Sequence, residues 1–105
     1  MAIQHDPLSN ELQARIDAGV PVLIDFHAAW CGPCRMIAPK YQELSDAKPG
    51  IEFYKVDVDK RPELAAKMGV TAMPTFIGFK GGKQVKMVMG ADVRQLESLV
   101  AMLQD

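Results

Sequence analysis

Residues 20–36 read VPVLIDFHAAWCGPCRM, and the reading of this stretch decides the fold. Val20 to Phe26 is apolar at both alternating sets of positions. A strand buried on both faces has that pattern, and such strands belong at the centre of a parallel sheet covered by helices. From Cys31 to Asp46 the period changes to that of a helix, with Met36, Ile37, Tyr41 and Leu44 expected toward the core. Pro39 falls inside it, removes one backbone bond and should kink it. Trp30-Cys31-Gly32-Pro33-Cys34 therefore sits where a buried strand passes into a helix.

Working outward, Asp6-Pro7 predicts the start of an earlier helix, with Asp6 as its cap and Pro7 in the first turn. Leu8, Leu12 and Ile16 recur at four-residue spacing, and Gly19 is a stop. Ala2 to Gln4 is a short edge strand before it. Downstream, Pro49-Gly50 is a turn, Ile51 to Asp57 alternates as a strand, and Pro62 opens a short helix that Gly69 ends. Thr75 to Lys80 and Val85 to Met89 are strands joined through Gly81-Gly82, a hairpin signal that makes them antiparallel. Asp92 and Gln95 begin a last helix with the apolar stripe Leu96, Leu99, Val100 and Leu103. Met36, Met68 and Met102 read as core filler. With right-handed crossovers, this order predicts an α/β domain: a central mixed sheet with helices on both faces.

The 105 residues suit one domain, 1–105, and 49% hydrophobic against 24% charged residues suit a folded, water-soluble chain. Twelve basic residues against thirteen acidic ones leave no basic stripe for nucleic acid. No apolar run approaches the ~18 residues of a membrane span. MAIQHDPLSN has no basic region followed by an apolar one, so a cytoplasmic location is expected. A monomer is expected as well.

The chain has two cysteines, Cys31 and Cys34. A pair so close in sequence cannot staple distant parts of a fold. At a helix start, residues three apart lie about 5–6 Å from one another, within the window of a disulfide. Cys31 at the helix N-terminus meets free amides and the macrodipole, which favour an anion there by ~0.3–2 kcal/mol. That draws a thiol from its free value of ~8.5 toward neutrality, where it is ionised yet still nucleophilic. Cys34, one turn inside, loses that advantage, is better shielded and acts second. Two other readings stand beside this one: an inert disulfide, and zinc held by Cys31, Cys34, His27 and His5. Against zinc, structural sites pair two local ligand clusters, and His5 belongs to none.

WCGPC between VLIDFHAA and RMIAPKYQEL, followed by FYKVDVD, AMPTF and MGA, resembles the thioredoxin family over nearly the whole chain. The resemblance implies the thioredoxin fold and dithiol–disulfide exchange that reduces protein disulfides. It implies that Cys31 is the attacking nucleophile and Cys34 the resolving thiol, with Gly32 and Pro33 setting a reducing potential. Asp25 matches the family's buried proton acceptor behind Cys34, and Lys55 its partner. Pro74 matches a cis-proline facing the cysteines, and Met73 offers its backbone to an extended substrate. Trp30, Met73, Gly90 and Ala91 match a shallow groove around the exposed sulfur. One departure is His27, where many relatives carry Trp or another aromatic residue. A histidine there reads first as a packed side chain, and it can also add a pH-dependent charge near the site.

The resemblance further implies re-reduction by an NADPH-dependent thioredoxin reductase. The implied clients are disulfide-containing proteins such as peroxiredoxins, methionine sulfoxide reductases and ribonucleotide reductase. No nucleotide fingerprint is present, so no cofactor is expected beyond the reversible Cys31–Cys34 disulfide, and no metal. Two alternatives remain at this point. A disulfide oxidant or isomerase is opposed by Pro33 and by the missing signal sequence. A redox-silent adaptor using the Trp30 groove would not need both cysteines.

Overall fold

The computed structural model describes residues 3–104. The Ala2 end of the expected first strand lies outside the described residues. Five strands form one mixed sheet: β1 (Ile3–His5), β2 (Val22–His27), β3 (Glu52–Asp57), β4 (Thr75–Lys80) and β5 (Lys83–Met89). Their spatial order is β1-β3-β2-β4-β5. β2 is central, as its doubly apolar pattern requires. It pairs parallel with β3 and antiparallel with β4, so the sheet turns from parallel to antiparallel at its middle rather than being parallel around β2. β4 and β5 form the hairpin that Gly81-Gly82 announces.

The helices are α1 (Ser9–Asp17), α2 (Gly32–Ala47), α3 (Pro62–Lys67) and α4 (Val93–Gln104). α2 and α4 cover one face, packing Ile37, Tyr41, Leu44, Leu96 and Leu99 against Leu23, Phe53 and Phe76. α1 and α3 cover the other, packing Leu12, Ile16 and Leu64 against Ile24, Phe26, Tyr54 and Ile77. Each fully buried side chain of this kind contributes about 1.5–3 kcal/mol. The Tyr41 hydroxyl, deep between α2 and the sheet, donates toward the carbonyls of Leu23 (3.1 Å) and Tyr54 (2.7 Å), tying α2 to both central parallel strands. At Gly78 of β4, α4 approaches so closely that a Cβ would lie 2.8 Å from Leu99 Cδ1.

Four expectations need correction. The first helix starts at Ser9 rather than at Asp6-Pro7. Asp6 adopts a left-handed φ of 49°, tolerated by a short polar side chain, and its carboxylate accepts from the Asp57 amide at 2.7 Å. That long-range bond takes the cap away, and the Glu11 carboxylate accepts instead from the Leu8 amide. Leu8 is consequently exposed and outside the stripe of Leu12 and Ile16. Met36 is 81% exposed: Ile37, Tyr41 and Leu44 take the inner stripe of α2, and Met36 lies ~100° around from Ile37. Met102 is also exposed, whereas Met68 packs on the α1–α3 core.

Candidate active site

β2 ends at His27, and the chain turns through Ala28–Trp30 into α2. Cys31 is the N-cap of that helix, in an extended conformation, with Gly32 and Pro33 in the first turn. Its sulfur accepts from the Cys34 amide at 3.2 Å, the bond a cap makes to a free donor of the first turn. Cys31 and Cys34 are joined as a disulfide, with Cα atoms 5.3 Å apart. Both thiols are thereby committed to one another, and no group of three or more His, Cys, Asp or Glu side chains that could hold a metal gathers among the described residues.

One feature differs from the expected exposed sulfur. In the disulfide form Cys31 is 5% exposed and Cys34 4%, packed with Ala28 and against Met73 and Val58. Accessibility does not separate the two. Position does, since Cys31 precedes the helix and Cys34 lies inside it.

Asp25 lies on β2 two residues before His27, and its register partners are Lys55 of β3 and Phe76 of β4. It is wholly buried, and neither carboxylate oxygen has a hydrogen-bond partner. Burial pushes its pKa up to about 7, opposed by the charge of Lys55. Lys55 therefore acts on Asp25 through space, not as a bonded partner. His27 is half-buried, and burial followed by the charge of Lys55 lowers its pKa.

The rim of the site comes from separate parts of the chain. The Met73–Pro74 bond is cis, Pro74 is buried and Met73 packs against the cysteine pair. The Pro74 carbonyl accepts from the Gly90 amide at 2.8 Å, which ties the Gly90–Ala91 turn to the same rim. Gly90 has a φ of 97°, open to glycine and costly for other residues. Trp30 is 66% exposed, and its indole Nε1 donates to the Asp59 carboxylate at 3.0 Å. Sequence reasoning missed Asp59. The signal was present in VDVD: Asp59 stands two residues past the end of β3, the strand beside β2.

This geometry brings Trp30, Cys31, Gly32, Pro33, Cys34, Met73, Pro74, Gly90 and Ala91 to one end of the sheet, with Asp25 and Lys55 beneath them. A dithiol there can alternate between a closed disulfide and an open pair, exchanging two electrons and two protons.

The thioredoxin family model matches residues 5–105. Thioredoxin-2 of Pyricularia oryzae is 54% identical over 80 residues, which cover 76% of this chain and 47% of that protein, so the match spans about half of its length. The crystal structure of Malassezia sympodialis thioredoxin (Mala s 13) superposes with a TM-score of 0.92 at 36% identity, covering 100% of this chain and 96% of that one. Mitochondrial thioredoxin 3 of Saccharomyces cerevisiae superposes at 0.87, also with 36% identity, covering 98% and 95%.

Proposed function

This chain belongs to the thioredoxin family and is a thiol–disulfide oxidoreductase, and on that premise we propose how its residues divide the work of reducing a protein disulfide. The observation that carries the division is the place of Cys31 as N-cap of α2, with its sulfur already accepting an amide hydrogen bond. A thiolate there is stabilised by the first-turn amides and attacks one sulfur of the client. The client's second sulfur leaves with the bonding electrons, and Cys31 is held in a mixed disulfide. Asp25 takes the thiol proton of Cys34, and the Cys34 thiolate attacks Cys31 Sγ. The Cys31–Cys34 bond forms, the client's first sulfur is expelled, and each released thiolate takes a proton from solvent. Two electrons have passed from this chain to the client.

Asp25 suits the task because a carboxylate with a pKa of about 7 can accept a proton near neutral pH. Trp30, Met73, Pro74, Gly90 and Ala91 form the contact surface for the client, which lies against the Met73 backbone as an added strand. Gly32 and Pro33 hold the first turn of α2, and no atom beyond the neighbouring residues and the helix's own backbone lies within 4 Å of where a Gly32 side chain would begin. The pair itself is the redox group, so the reaction needs no bound cofactor.

Thioredoxins as a class work with a thioredoxin reductase and disulfide clients. For this chain we assign an NADPH-dependent reductase as electron source, with peroxiredoxins, methionine sulfoxide reductases and ribonucleotide reductase as the client classes. No helix among the described residues is long and apolar enough to cross a membrane. We propose a cytoplasmic pool, and the likeness to a mitochondrial thioredoxin makes fractionation its direct test.

Insulin reduction with dithiothreitol as electron donor tests the scheme. The unmodified protein accelerates precipitation of the insulin B chain, and Cys31→Ser abolishes the acceleration. Cys34→Ser accumulates a mixed disulfide that gel shift and mass spectrometry detect. An active Cys31→Ser variant, or a Cys34→Ser variant that traps nothing, overturns the assigned roles.

A further inference from the structure

His27 is a titratable residue of this region that the scheme above leaves without a task. Along β2 the side chains alternate, and Leu23 packs on the α2 side, so Asp25 and His27 face α2 as well. Between the end of β2, β3 and α2 lies an open cleft of about 300 Å³. His27, Cys34, Arg35 and Lys55 line it, and the short side chains of Ala28, Ala29 and Ala38 leave its walls open. Asp25 does not border it. Cys34 therefore borders an open cleft that also holds an imidazole, whereas Asp25 is buried outside it. At about 30 Å³ per water molecule the cleft has room for several, and among its largely apolar walls His27, Arg35 and Lys55 offer them polar partners.

We propose that His27 is a second proton acceptor for the resolving thiol of Cys34, reached through water in the cleft the two residues share. The inference rests on the roles given above to Cys31 and Cys34 and adds a route parallel to Asp25. The thiol proton passes to a cleft water as that water gives one of its own to the imidazole. The Cys34 thiolate attacks Cys31 Sγ, the internal disulfide forms, and the client sulfur leaves with the bonding electrons and takes a proton from solvent. The imidazolium, being half-buried, releases its proton to bulk water, and His27 ends as it began.

The charges around His27 suit an acceptor at neutral pH. Burial disfavours its charged form first, and Lys55 of β3 and His5 of β1 act in the same direction. Asp57, its register partner on β3, and Asp6 beyond β1 oppose them. From α2 the facing groups are Cys34 and Arg35, and the Arg35 guanidinium is held by the Ala29 carbonyl at 2.7 Å. The imidazole is thus neutral and basic at pH 7, and Asp57 stands beside it to stabilise the imidazolium once a proton arrives.

The test is stopped-flow reaction of the reduced protein with 5,5′-dithiobis(2-nitrobenzoate) from pH 5.5 to 8.5. The second, concentration-independent release of thionitrobenzoate reports attack by Cys34. Asp25→Asn should slow that phase and leave a residual rate that falls only at a pH below the ~6.5 of an ordinary imidazole, because burial lowers the pKa of His27. Asp25→Asn with His27→Gln should lower the residual rate at pH 7 by a further fivefold or more and remove that inflection. A smaller fall, or an unchanged pH profile, overturns the proposal. If Asp25→Asn alone keeps the unmodified rate, the Asp25 role falls, and His27→Gln in the unmodified background decides the His27 role by the same criterion. If a protein carrying His27→Gln does not fold by circular dichroism, His27→Phe, a ring without a base, is read in its place.

Discussion

Asp25 and Lys55 are register partners on adjacent parallel strands, yet both carboxylate oxygens of Asp25 lack a hydrogen bond. A buried acid beside a cation that does not bond it is held in tension: burial favours the protonated form and the ammonium favours the charged one. Burial wins, and the pKa stands at about 7. An acid that changes state near neutral pH can exchange protons with a thiol, at a cost to the fold.

That cost has a sign and a window. The folded-state pKa is raised above its value of ~3.9 in an unfolded chain, so the folded state binds the proton more tightly. The pH-dependent part of the cost of Asp25 is absent well below pH 4, grows as pH rises to its folded value, and then levels off near ~4 kcal/mol. Asp25→Ala should therefore stabilise the protein by a few kcal/mol at pH 8 and by much less at pH 5, reduced in both cases by the small cavity it leaves. Urea melts at several pH values check this. A loss of stability at pH 8 would make Asp25 a structural residue.

Attack order follows from the position of the cap. In the reduced protein at neutral pH, iodoacetamide should label Cys31 at least tenfold faster than Cys34, because only Cys31 sits ahead of the first-turn amides of α2. Peptide mapping after short pulses reads the ratio. Equal labelling would place the nucleophile elsewhere.

The Trp30–Asp59 hydrogen bond holds an exposed indole at the rim of the site. Asp59→Ala should raise KM for a protein disulfide by about two- to fivefold and leave kcat nearly unchanged, since the indole gains rotamers it must lose on docking. Its effect on the melting midpoint should be small, because the bond is exposed to water. A kcat effect without a KM effect would place Asp59 in the chemistry instead.

Gly78 is where α4 lies on the sheet. Gly78→Ala puts a methyl against Leu99 and Leu103, and overpacking of this kind costs roughly 1–3 kcal/mol. Specific activity of the folded fraction should be unchanged, because Gly78 pairs with Leu23, two positions before Asp25 on β2. Denaturant melts and insulin reduction, measured on one preparation, separate the two effects.

What was legible in the sequence was local. The doubly apolar run before Trp30 put β2 at the centre, the four- and three-residue spacing of Ile37, Tyr41 and Leu44 drew α2, and Gly81-Gly82 marked the hairpin. The change from strand to helix period was enough to place Cys31 at the helix N-terminus, where the structure makes it the cap. Each of these follows from a backbone period or a turn that a few consecutive residues settle among themselves. What failed was equally specific. Asp6 reads as a helix cap until β1 pairs with β3 and brings the Asp57 amide within 2.7 Å, where a strand-end donor claims the carboxylate. Met36 reads as core until α2 lies on the sheet and shows which side of it is turned outward.

The partners of the site belong to that second class. Asp25 and Lys55 stand thirty positions apart in the chain, and their relation exists because β2 and β3 lie side by side in one register. The same pairing of strands brings Asp59 to Trp30 and Lys55 to the cleft of His27 and Cys34. Periodicity shows which face a residue occupies along its own element. Which charges meet across two elements, how deeply each is buried, and therefore which way a pKa moves, are set only when long-range packing buries Asp25 wholly and leaves His27 half-buried beside the open cleft.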